Sequence, residues 1–511
     1  MRVCRTSAER ILASELAAAA PDLTDAFSAL LPGARASVLT RLWRGLVHEP
    51  LPWITSRTSA HGSVTLRLSD GRRLHGPPSD PWSTAVTVTA LELDGVPHDH
   101  PAELMTALSA RLGLPNGPRF AAELDHSVAS LTLSRAARHG RDTTHPPTGS
   151  GQAPWDWEQW PTDGHPYHPT CRARPGFSAA EQLAYAPEHR PVVHLRLAAV
   201  EGATVVGTWP PELRDGLAAL IPVHPWQAAH VLSGPPLRPG PAAHPLLSLR
   251  TLDMGGNTHV KTAVSTQLTS AVRDISPYSV THALATSDFA ARVAGRLDGR
   301  LHIARTLAAA GAGTADLAAV LRESPYRYGD AAAGERVVPA AVLPALLSSH
   351  PPAERLARAT AFARLALGVC LELLDLGVAL EAHGQNLLVV VDRDDRPLRL
   401  VYRDLADIRV SPARLARHGI PAPPLTGRLL TDDPAVLHRK VVGCLVTGAL
   451  APLAGDGPVL GALLRSAGRD LPRTAEADAL RTGPLPAKAL TSMRLSPPGR
   501  GDLWTHLPNP A

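Results

Sequence analysis

The amino-acid sequence predicts an α+β fold, because segments with helical periodicity alternate with segments whose apolar residues recur at every second position. Helical spacing marks residues 6–31, 101–113, 118–138 and 353–376. Strand-like alternation marks residues 62–94, 246–276 and 381–410. A chain of 511 residues is too long for one ordinary domain, so we expect two to four domains.

The composition argues against nucleic-acid and membrane partners. The net charge is +5, but no run of Lys and Arg interleaves with aromatic residues. No apolar run approaches the ~20 residues of a membrane span, and Glu9 and Glu15 interrupt the region where a signal peptide needs an apolar core. The four cysteines lie far apart without CxxC spacing, as in a reducing compartment. We therefore predict a cytoplasmic protein.

The N-terminal third is predicted to mix helices and strands. Pro21 and Pro32 punctuate the helix predicted over residues 6–31. A turn at Asp70-Gly71 joins the two alternating runs of SVTLRLSDGRRLHG, and TAVTVTALELDG follows as a further strand. Residues 140–164, rich in Pro, Gly, Thr and Trp, are predicted to connect this third to the rest of the chain.

The central and C-terminal parts repeat this mixture. VVHLRLAAV predicts a buried strand, and IPVHPWQAAHVL predicts a strand end that turns into a helix around a packed Trp. The Ala-rich segments of residues 286–348 are predicted to be helical. The helix at residues 353–376 has Gly377 as its expected C-cap. In residues 381–410 two apolar strands flank the turn DRDDRP, and the remainder is predicted to be helical.

Residues 246–276 are the first candidate binding segment. One face would carry Leu247, Leu249, Val260, Val264 and Leu268, and the other Ser248, Arg250, His259, Lys261, Ser265 and Gln267. The sequence DMGGN between the runs predicts a hairpin-like reversal. Arg250 and Lys261 would then lie near each other, with Arg273 following, and converging cations usually bind an anion. The alternative is a solvated basic strand face.

Two further stretches could form a metal site. The loop with Glu381, His383, Gln385 and Asn386 leads into one strand, and the return strand ends at Asp404. Oxygen ligands so arranged suit Mg²⁺, which commonly takes one or two carboxylates together with nucleotide phosphates. An ordinary hairpin with a surface acid is the alternative.

Other motifs exclude several chemistries. The two histidines of HPYHP lack an evident third ligand, so zinc is not expected, and the prolines would hold the imidazoles outward. HPWQ (224–227) is interpreted as structural. The sequence has no Walker GxxxxGK[ST], no GxGxxG after a strand and no GxSxG.

Taken together, these stretches resemble the IucA/IucC family of siderophore synthetases that work without a nonribosomal assembly line. The matching pieces run in family order over roughly residues 160–511: GHPYHPTCRARPGFS, IPVHPWQ, SLRT, HVKTAVSTQLTSAVRDIS, EAHGQN, YRDL, and a tail, PAKALTSMRL…NP, similar to the family's ferric-reductase-like C-terminal segment.

The resemblance implies a cupped-hand architecture with a thumb (1–158), β-rich fingers (159–330) and a mainly helical palm (331–511). It also implies ATP and Mg²⁺ as cofactors. A carboxylate such as citrate, or a citrate or succinate derivative, would be adenylated and then condensed with an amine or alcohol. Homodimers are typical of the family.

The resemblance also implies residue roles. Arg273, His383 and Lys261 would be catalytic. ATP would be bound by Ser248, Arg250, Thr251, Lys261, Thr262, His383, Gln385, Asn386 and Asp404. The substrate carboxylate would be held by Thr269, Ser270, Arg273 and His383, and the metal by Glu381, Asn386 and Asp404. His165, His168 and Arg172 are further candidates. The family usually has Lys where this chain has Arg172, which keeps the charge but changes its geometry.

Two rival functions stay open. The hairpin with His383, Asn386 and Asp404 also resembles that of aminoglycoside-kinase-like phosphotransferases, but Gly or Gln occupies the place of their general base. Adenylation needs no such base, because a carboxylate is already ionised at neutral pH. The second rival is a non-catalytic, nucleotide-binding partner subunit.

Overall fold

The computed structural model describes residues 3–139, 147, 153–234, 236–269, 271–497 and 501–511. Helices and strands are both abundant, which confirms the predicted α+β class. Large apolar cores lie in the N-terminal unit (residues 3–139), beneath a nine-stranded central sheet, and in the C-terminal unit (residues 336–511). The domain boundaries after residues 158 and 330 stay predictions. Most of the predicted connection before residue 153 lies outside the described residues.

The N-terminal unit packs helices against a five-stranded antiparallel meander. The two helices predicted over residues 101–138 are present, and the second one is fully buried against the neighbouring helices at Phe120, Leu124, Val128 and Leu131. The hairpin predicted at Asp70-Gly71 is also present. The elements are α1 Ser7–Ala19, α2 Thr24–His48, α3 Pro101–Leu112, α4 Gly117–His139, β1 Ile54–Ala60, β2 Ser63–Leu68, β3 Arg73–Gly76, β4 Leu91–Leu93 and β5 Val96–His98.

Two predictions for this unit were wrong. Pro32 lies inside α2 and does not end a helix. The helix continues because Leu39, Leu42 and the residues around them form a buried stripe, and this burial outweighs the hydrogen bond that a proline removes. TAVTVTALELDG is a strand only at β4, since residues 84–90 are irregular and two of their N–H groups donate outside any sheet, to Gly455 O and Thr40 Oγ1.

The central sheet runs in the strand order β7-β16-β17-β12-β11-β10-β6-β9-β8, and strands that are adjacent in the sheet pair antiparallel. A separate two-stranded pair, β13 and β14, follows β12 along the chain. The elements of this region are α5 Ala179–Tyr185, α6 Pro225–His230, α7 Pro277–Ala294, β6 Val193–Val200, β7 Thr204–Gly207, β8 Arg214–Asp215, β9 Ala218–Val223, β10 Leu237–Pro245, β11 Thr251–Asp253, β12 Thr258–Thr262, β13 Val264–Leu268, β14 Ala271–Arg273, β15 Leu301–Ile303, β16 Thr306–Gly311 and β17 Ala318–Glu323.

The helical prediction for residues 286–348 was wrong over much of its length. Residues 301–339 contain four strands, β15 to β17 and Arg336–Pro339. Ala308, Ala309 and Ala310 of β16 are fully buried between the neighbouring strands, and α7 packs against β16. Alanine is a weak strand former, but strand preference follows packing and burial more than intrinsic propensity. Small side chains here let the helix approach the sheet.

The C-terminal unit is built around the predicted long helix, and Gly377 follows it with the expected positive φ of +105°. The predicted β-hairpin of residues 381–410 is also present. The last strands of the chain, by contrast, were not predicted. The elements are α8 Leu343–Leu347, α9 Pro352–Asp375, α10 Pro412–Arg417, α11 Pro434–His438, α12 Ala451–Ala454, α13 Gly457–Gly468, α14 Ala475–Thr482, α15 Leu490–Leu495, β18 Arg336–Pro339, β19 Val378–Ala379, β20 Leu387–Val391, β21 Pro397–Tyr402, β22 Arg409–Val410, β23 Leu485–Lys488 and β24 Trp504–Leu507, with π-helical turns at Arg439–Gly443 and Val446–Leu450.

One continuous helical stretch, Pro434–Ala454, corrects the expectation that no segment approaches the length of a membrane span. By length and composition alone it could cross a membrane. Most of its apolar window, 61%, is buried inside the protein, however. It packs in the core of the C-terminal unit, and a buried core helix has the same composition.

The end of the chain docks on the N-terminal unit through a buried carboxylate. Glu49, which follows α2 and is 3% exposed, accepts hydrogen bonds from Thr491 N (3.0 Å) and Ser492 N (2.7 Å) at the start of α15. A Cβ atom at Gly45 would lie 2.0 Å from Thr491 Oγ1, so the two helices are in close contact. The C-terminal segment is thereby fixed against the N-terminal unit.

We predict that Glu49→Ala destabilises the protein. Two buried N–H groups would lose their acceptor, which costs about 1–3 kcal/mol. Thermal unfolding should show a lower midpoint for Glu49→Ala than for wild type. The matched control Glu92→Ala removes an exposed carboxylate from β4 and should leave the midpoint unchanged. Equal midpoints for the two variants would contradict the prediction.

Candidate active site

One face of the central sheet carries polar side chains where the sheet meets the C-terminal unit. Thr251 on β11 lies opposite Lys261 on β12, and Arg322 on β17 lies opposite His259. Because strand side chains alternate between faces, these four residues share one face. The residues between them are buried in the apolar core on the other face: Leu252, Val260 and Leu321.

The predicted reversal at DMGGN is confirmed, although the strands are shorter than expected. The first strand begins at Thr251, and the residues before it form a turn in which Leu249 has a positive φ of +65°. Within this turn Ser248 Oγ accepts a hydrogen bond from Thr251 N at 3.1 Å. Thr262 donates to Arg250 O through both its N (2.9 Å) and its Oγ1 (3.1 Å). These hydroxyl groups therefore hold the backbone around the cations.

Lys261 joins the central sheet to the C-terminal unit. Its Nζ atom lies 2.7 Å from each carboxylate oxygen of Asp404. Burial lowers the pKa of Lys261 from its ordinary 10.5 to about 8, with Arg250 and Arg322 acting in the same direction and Asp404 opposing them. Burial alone would raise the pKa of Asp404, but Lys261, Arg322 and Arg250 hold it well below its usual range.

Two arginines surround this ion pair. Arg250 donates through Nη1 to the backbone oxygens of Arg273 and Asp274, both at 2.7 Å. Arg322 donates through Nη2 to Thr251 Oγ1 at 3.3 Å, and its buried Nε has no hydrogen-bond partner among the described residues. Burial lowers the pKa of both guanidinium groups to about 10. Each remains charged at neutral pH, so the cluster has spare positive charge.

Arg273 lies at the end of β14, next to the same cluster. Its Nη2 atom donates to Leu268 O at 3.0 Å and to Thr269 Oγ1 at 2.9 Å. Burial lowers the pKa of Arg273, while Asp404 and Glu381 raise it. Thr269 and Arg273 are therefore in direct contact, as expected for a shared carboxylate site. Ser270, the other predicted member, lies outside the described residues.

The hairpin of β20 and β21 supplies the opposite wall. Leu387 pairs with Tyr402, and Arg403 N donates to Asn386 O at 3.1 Å, so the return strand brings Asp404 back beside Asn386 as predicted. Asp404 has a positive φ of +71°, a conformation that Asp tolerates better than most residues. This turn directs the carboxylate out of the strand towards Lys261.

His383 lies in a loop that packs tightly against a π-helical turn. A Cβ atom at Gly448 would lie 2.5 Å from His383 Cβ, and Gly384 N donates to Gly448 O at 2.8 Å. Gln385 N donates to His383 Nδ1 at 3.3 Å, so Nε2 carries the proton of the neutral ring. Burial lowers the pKa of His383, although Glu381 opposes it. The imidazole is thus neutral at pH 7 and can donate from Nε2.

Glu381 is neutralised by the other two lysines of the chain. Lys488 Nζ lies 2.9 Å and Lys440 Nζ 3.5 Å from Glu381 Oε1, and Lys440 also lies 2.6 Å from Asp407. Burial would raise the pKa of Glu381, but Lys488 and Lys440 lower it. No group of three His, Cys, Asp or Glu side chains suited to a metal occurs among the described residues. The predicted metal ligands stay predictions.

Comparison with known proteins shows which families the segments that build this site are similar to. A model of the IucA / IucC family matches residues 154–345, and a model described as ferric iron reductase FhuF-like transporter matches residues 359–455. The second match includes most of α9 and the β20–β21 hairpin, and it lies upstream of the tail on which we placed that resemblance. Residues 154–345 belong to the IucA/IucC family.

Two solved structures share the fold of this chain. The petrobactin biosynthesis protein AsbB from Bacillus anthracis str. Sterne is 19% identical, with a TM-score of 0.77 over 96% of this chain and 97% of that chain. The ATP-bound aerobactin synthetase IucA from Klebsiella pneumoniae is 18% identical, with a TM-score of 0.67 over 93% of this chain and 99% of that chain.

A curated relative matches over a shorter stretch. The 2-[(L-alanin-3-ylcarbamoyl)methyl]-3-(2-aminoethylcarbamoyl)-2-hydroxypropanoate synthase of Staphylococcus aureus is 26% identical over 34% of this chain. The alignment covers 34% of that relative's length.

The HPYHP segment of the IucA/IucC region lies partly inside the protein. His165 Nδ1 accepts the N–H groups of Tyr167 and His168, both at 3.2 Å. His168 is 2% exposed, so the expectation that the prolines hold both imidazoles outward was wrong for this residue. Arg172 donates to the backbone oxygens of Pro161 (2.6 Å) and Thr162 (2.7 Å) and holds the loop together.

HPWQ is structural, as interpreted from the sequence. Trp226 stacks on Phe177 with ring centroids 4.8 Å apart, and its Nε1 donates to Gly176 O at 2.9 Å.

Sequence reasoning missed four charged residues of this candidate site: Glu158, Arg322, Lys440 and Lys488. Arg322 lies in the Ala-rich region assigned to helices, so its strand face could not be deduced. The scarcity of lysine was the available signal for Lys440 and Lys488, because the chain has three lysines and uses arginine elsewhere. Glu158 carries no local signal, since its partners lie far away in sequence.

We predict that Lys261 makes stability rise with pH between about 8 and 10.5. In this window the unfolded state binds more protons than the folded state, because the folded-state pKa is depressed. The free energy of unfolding of wild type relative to Lys261→Met should therefore increase by up to about 3 kcal/mol. Urea unfolding at pH 7.5, 8.5, 9.5 and 10.5 measures this difference, and a difference independent of pH would contradict the assignment.

Proposed function

We propose that this protein is an ATP-dependent synthetase that adenylates a carboxylic acid and condenses it with an amine or a hydroxyl. In the first step a carboxylate oxygen attacks the α-phosphorus of ATP, and the bond to pyrophosphate breaks. In the second step the amine nitrogen or hydroxyl oxygen attacks the acyl carbon, releasing AMP and a proton. The product is an amide or an ester.

The buried cation cluster is the observation that carries this proposal. Lys261, Arg250 and Arg322 surround the single carboxylate of Asp404, and such spare charge suits a triphosphate. Preorganised cations stabilise the charge that develops as pyrophosphate leaves. The ATP-bound aerobactin synthetase, which has the same fold, agrees with this interpretation.

The oxygen donors at the site would suit Mg²⁺ that binds together with a nucleotide. Asp404 and Asn386 are the donors beside the cluster, and Mg²⁺ commonly takes one or two protein ligands and completes its shell with phosphate and water. Bound there, it would neutralise phosphate charge. Both carboxylates are already paired with lysines, Asp404 with Lys261 and Glu381 with Lys488 and Lys440, so either would hold the ion only together with the phosphates.

Thr269, Arg273 and His383 are proposed to hold the substrate acid. Arg273 supplies a fixed charge, and the neutral His383 donates from Nε2 without needing to remove a proton. A reaction whose nucleophile is already an anion requires no general base. Citrate, or a citrate or succinate derivative, is the proposed acid. The name of the Staphylococcus aureus relative describes a 2-hydroxypropanoate bearing amide arms, which is the class of product expected.

Phosphotransfer is the main alternative, because Asn386 and Asp404 lie on a hairpin like that of small-molecule kinases. The sequence position of the kinase base is occupied by Gly384 or Gln385, and neither can accept a proton. A non-catalytic partner subunit is the second alternative. We further propose that the protein is cytoplasmic and homodimeric, and light scattering of the purified protein tests the dimer.

We predict that the protein releases pyrophosphate and AMP from ATP when supplied with an acid and hydroxylamine. Pyrophosphate detection across citrate, α-ketoglutarate and succinate derivatives measures this activity, and nucleotide chromatography identifies the second product. ADP in place of AMP would establish the kinase. ATP binding without any product would favour the partner subunit.

We predict that Arg273→Ala and Lys261→Ala each lower kcat/KM by about 10²–10³-fold, roughly 3–4 kcal/mol, because each removes a preorganised cation. Arg364→Ala is the matched control, because Arg364 lies on α9 and 48% of its side chain is exposed. It should retain wild-type activity. Turnover of either active-site variant within threefold of wild type would refute its role.

A further inference from the structure

A buried carboxylate outside the predicted site connects three segments that build the site. Glu158 is fully buried, at 0% exposure. It pairs with Arg403 through both oxygens, at 2.5 Å and 2.7 Å. It also accepts hydrogen bonds from Tyr326 Oη at 2.9 Å and Leu247 N at 3.2 Å. One side chain thus contacts the end of the central region, the turn before β11 and the β20–β21 hairpin.

Arg403 also contacts the backbone of the loop that is proposed to bind the nucleotide. Its Nε and Nη2 donate to Gln385 O at 3.1 Å and 3.0 Å, and its backbone N donates to Asn386 O at 3.1 Å. The next residue is Asp404, whose positive φ directs its carboxylate to Lys261. A guanidinium fixed at both edges therefore sets the position of the Gln385–Asn386 backbone and of the Asp404 turn.

The network has no evident role in the apolar cores. Arg403 is 3% exposed, and a buried bidentate ion pair of this kind adds little net stability, because the desolvation of both charges offsets their attraction. What such a pair does provide is a fixed geometry, since Arg and a carboxylate meet in one planar arrangement. Here the fixed ion pair holds the turn that carries Asp404 in position.

We propose that Glu158 is a positioning residue for nucleotide binding: through Arg403 it orients the Gln385 carbonyl and the Asp404 turn, and through Leu247 it holds the strand entry that leads to the cation cluster. The inference rests on the proposed function for the identity of the ligand. Glu158 has no contact with Thr269 or Arg273, so we expect its larger effect on the nucleotide half of the site.

Glu158→Gln tests this proposal, because it keeps the shape of the side chain and removes its charge. The probe is α,β-methylene-ATP with Mg²⁺, which binds without turnover, and titration calorimetry measures its Kd. We expect Kd to rise by about 10–100-fold. Displacements near 1 Å of positioned groups change reaction rates by a similar factor. Glu158→Asp keeps the charge and should recover most of the affinity.

A matched control separates positioning from general loss of an ion pair. Glu335→Gln breaks the pair with Arg399, which lies on the same strand β21, with Arg399 Nη1 3.0 Å from Glu335 Oε1. This variant should bind the analogue like wild type. The KM for ATP should rise more in Glu158→Gln than the KM for the acid that wild type uses. A Kd for Glu158→Gln within about twofold of the control overturns the proposal.

The double variant Glu158→Gln/Arg403→Gln covers the case in which Glu158→Gln does not fold. Removing both charges leaves no unpaired buried ion, whereas the single variant leaves the Arg403 charge buried without its carboxylate. Weak analogue binding by a double variant that unfolds at the wild-type temperature supports positioning, and wild-type affinity overturns it. Because the Kd needs no turnover, this result is independent of whether wild type forms AMP.

Discussion

The charge balance between the central sheet and the C-terminal unit constrains the rest of the structure. Asp404 lies among Lys261, Arg250 and Arg322, all of which are largely removed from water. Bringing like charges together in a buried place costs stability, and a single carboxylate offsets only part of that cost. The cluster therefore keeps a surplus of positive charge, which an anion with several charges would neutralise. The triphosphate of the proposed ATP ligand carries such charge.

The two walls of the site are held by different means. On the sheet side, neighbouring strands fix Thr251, Lys261 and Arg322 through register, and the apolar face beneath them anchors that register. On the hairpin side the polar residues lie on turns, so other contacts must position them. Glycine contacts with a π-helical turn hold the His383 loop, and Glu158 holds the Asp404 turn through Arg403. π-helical turns inside α-helices are frequent at functional sites.

The sequence allowed prediction wherever a local pattern determined the structure. The reversal at DMGGN and the hairpin that returns Asp404 to Asn386 follow from period-two alternation and turn residues, and both are present. Where packing decided the outcome, prediction failed. The alanines of β16 have no strand preference, and only the adjacent strands and α7 make them a strand. The role of Glu158 could not be foreseen either, because Arg403 lies 245 residues away in the chain.

The distribution of lysine links sequence and chemistry. Arginine supplies nearly all of the chain's basic residues, yet each of the three lysines contacts a carboxylate at this site: Lys261 with Asp404, and Lys440 and Lys488 with Glu381. A guanidinium is broad, planar and binds best through two parallel hydrogen bonds, whereas an ammonium is compact and donates in several directions. Beside a reacting phosphate or acid, a compact charge can exchange a carboxylate partner for a substrate oxygen with little rearrangement. Arginine at these positions would keep the charge and lose that freedom.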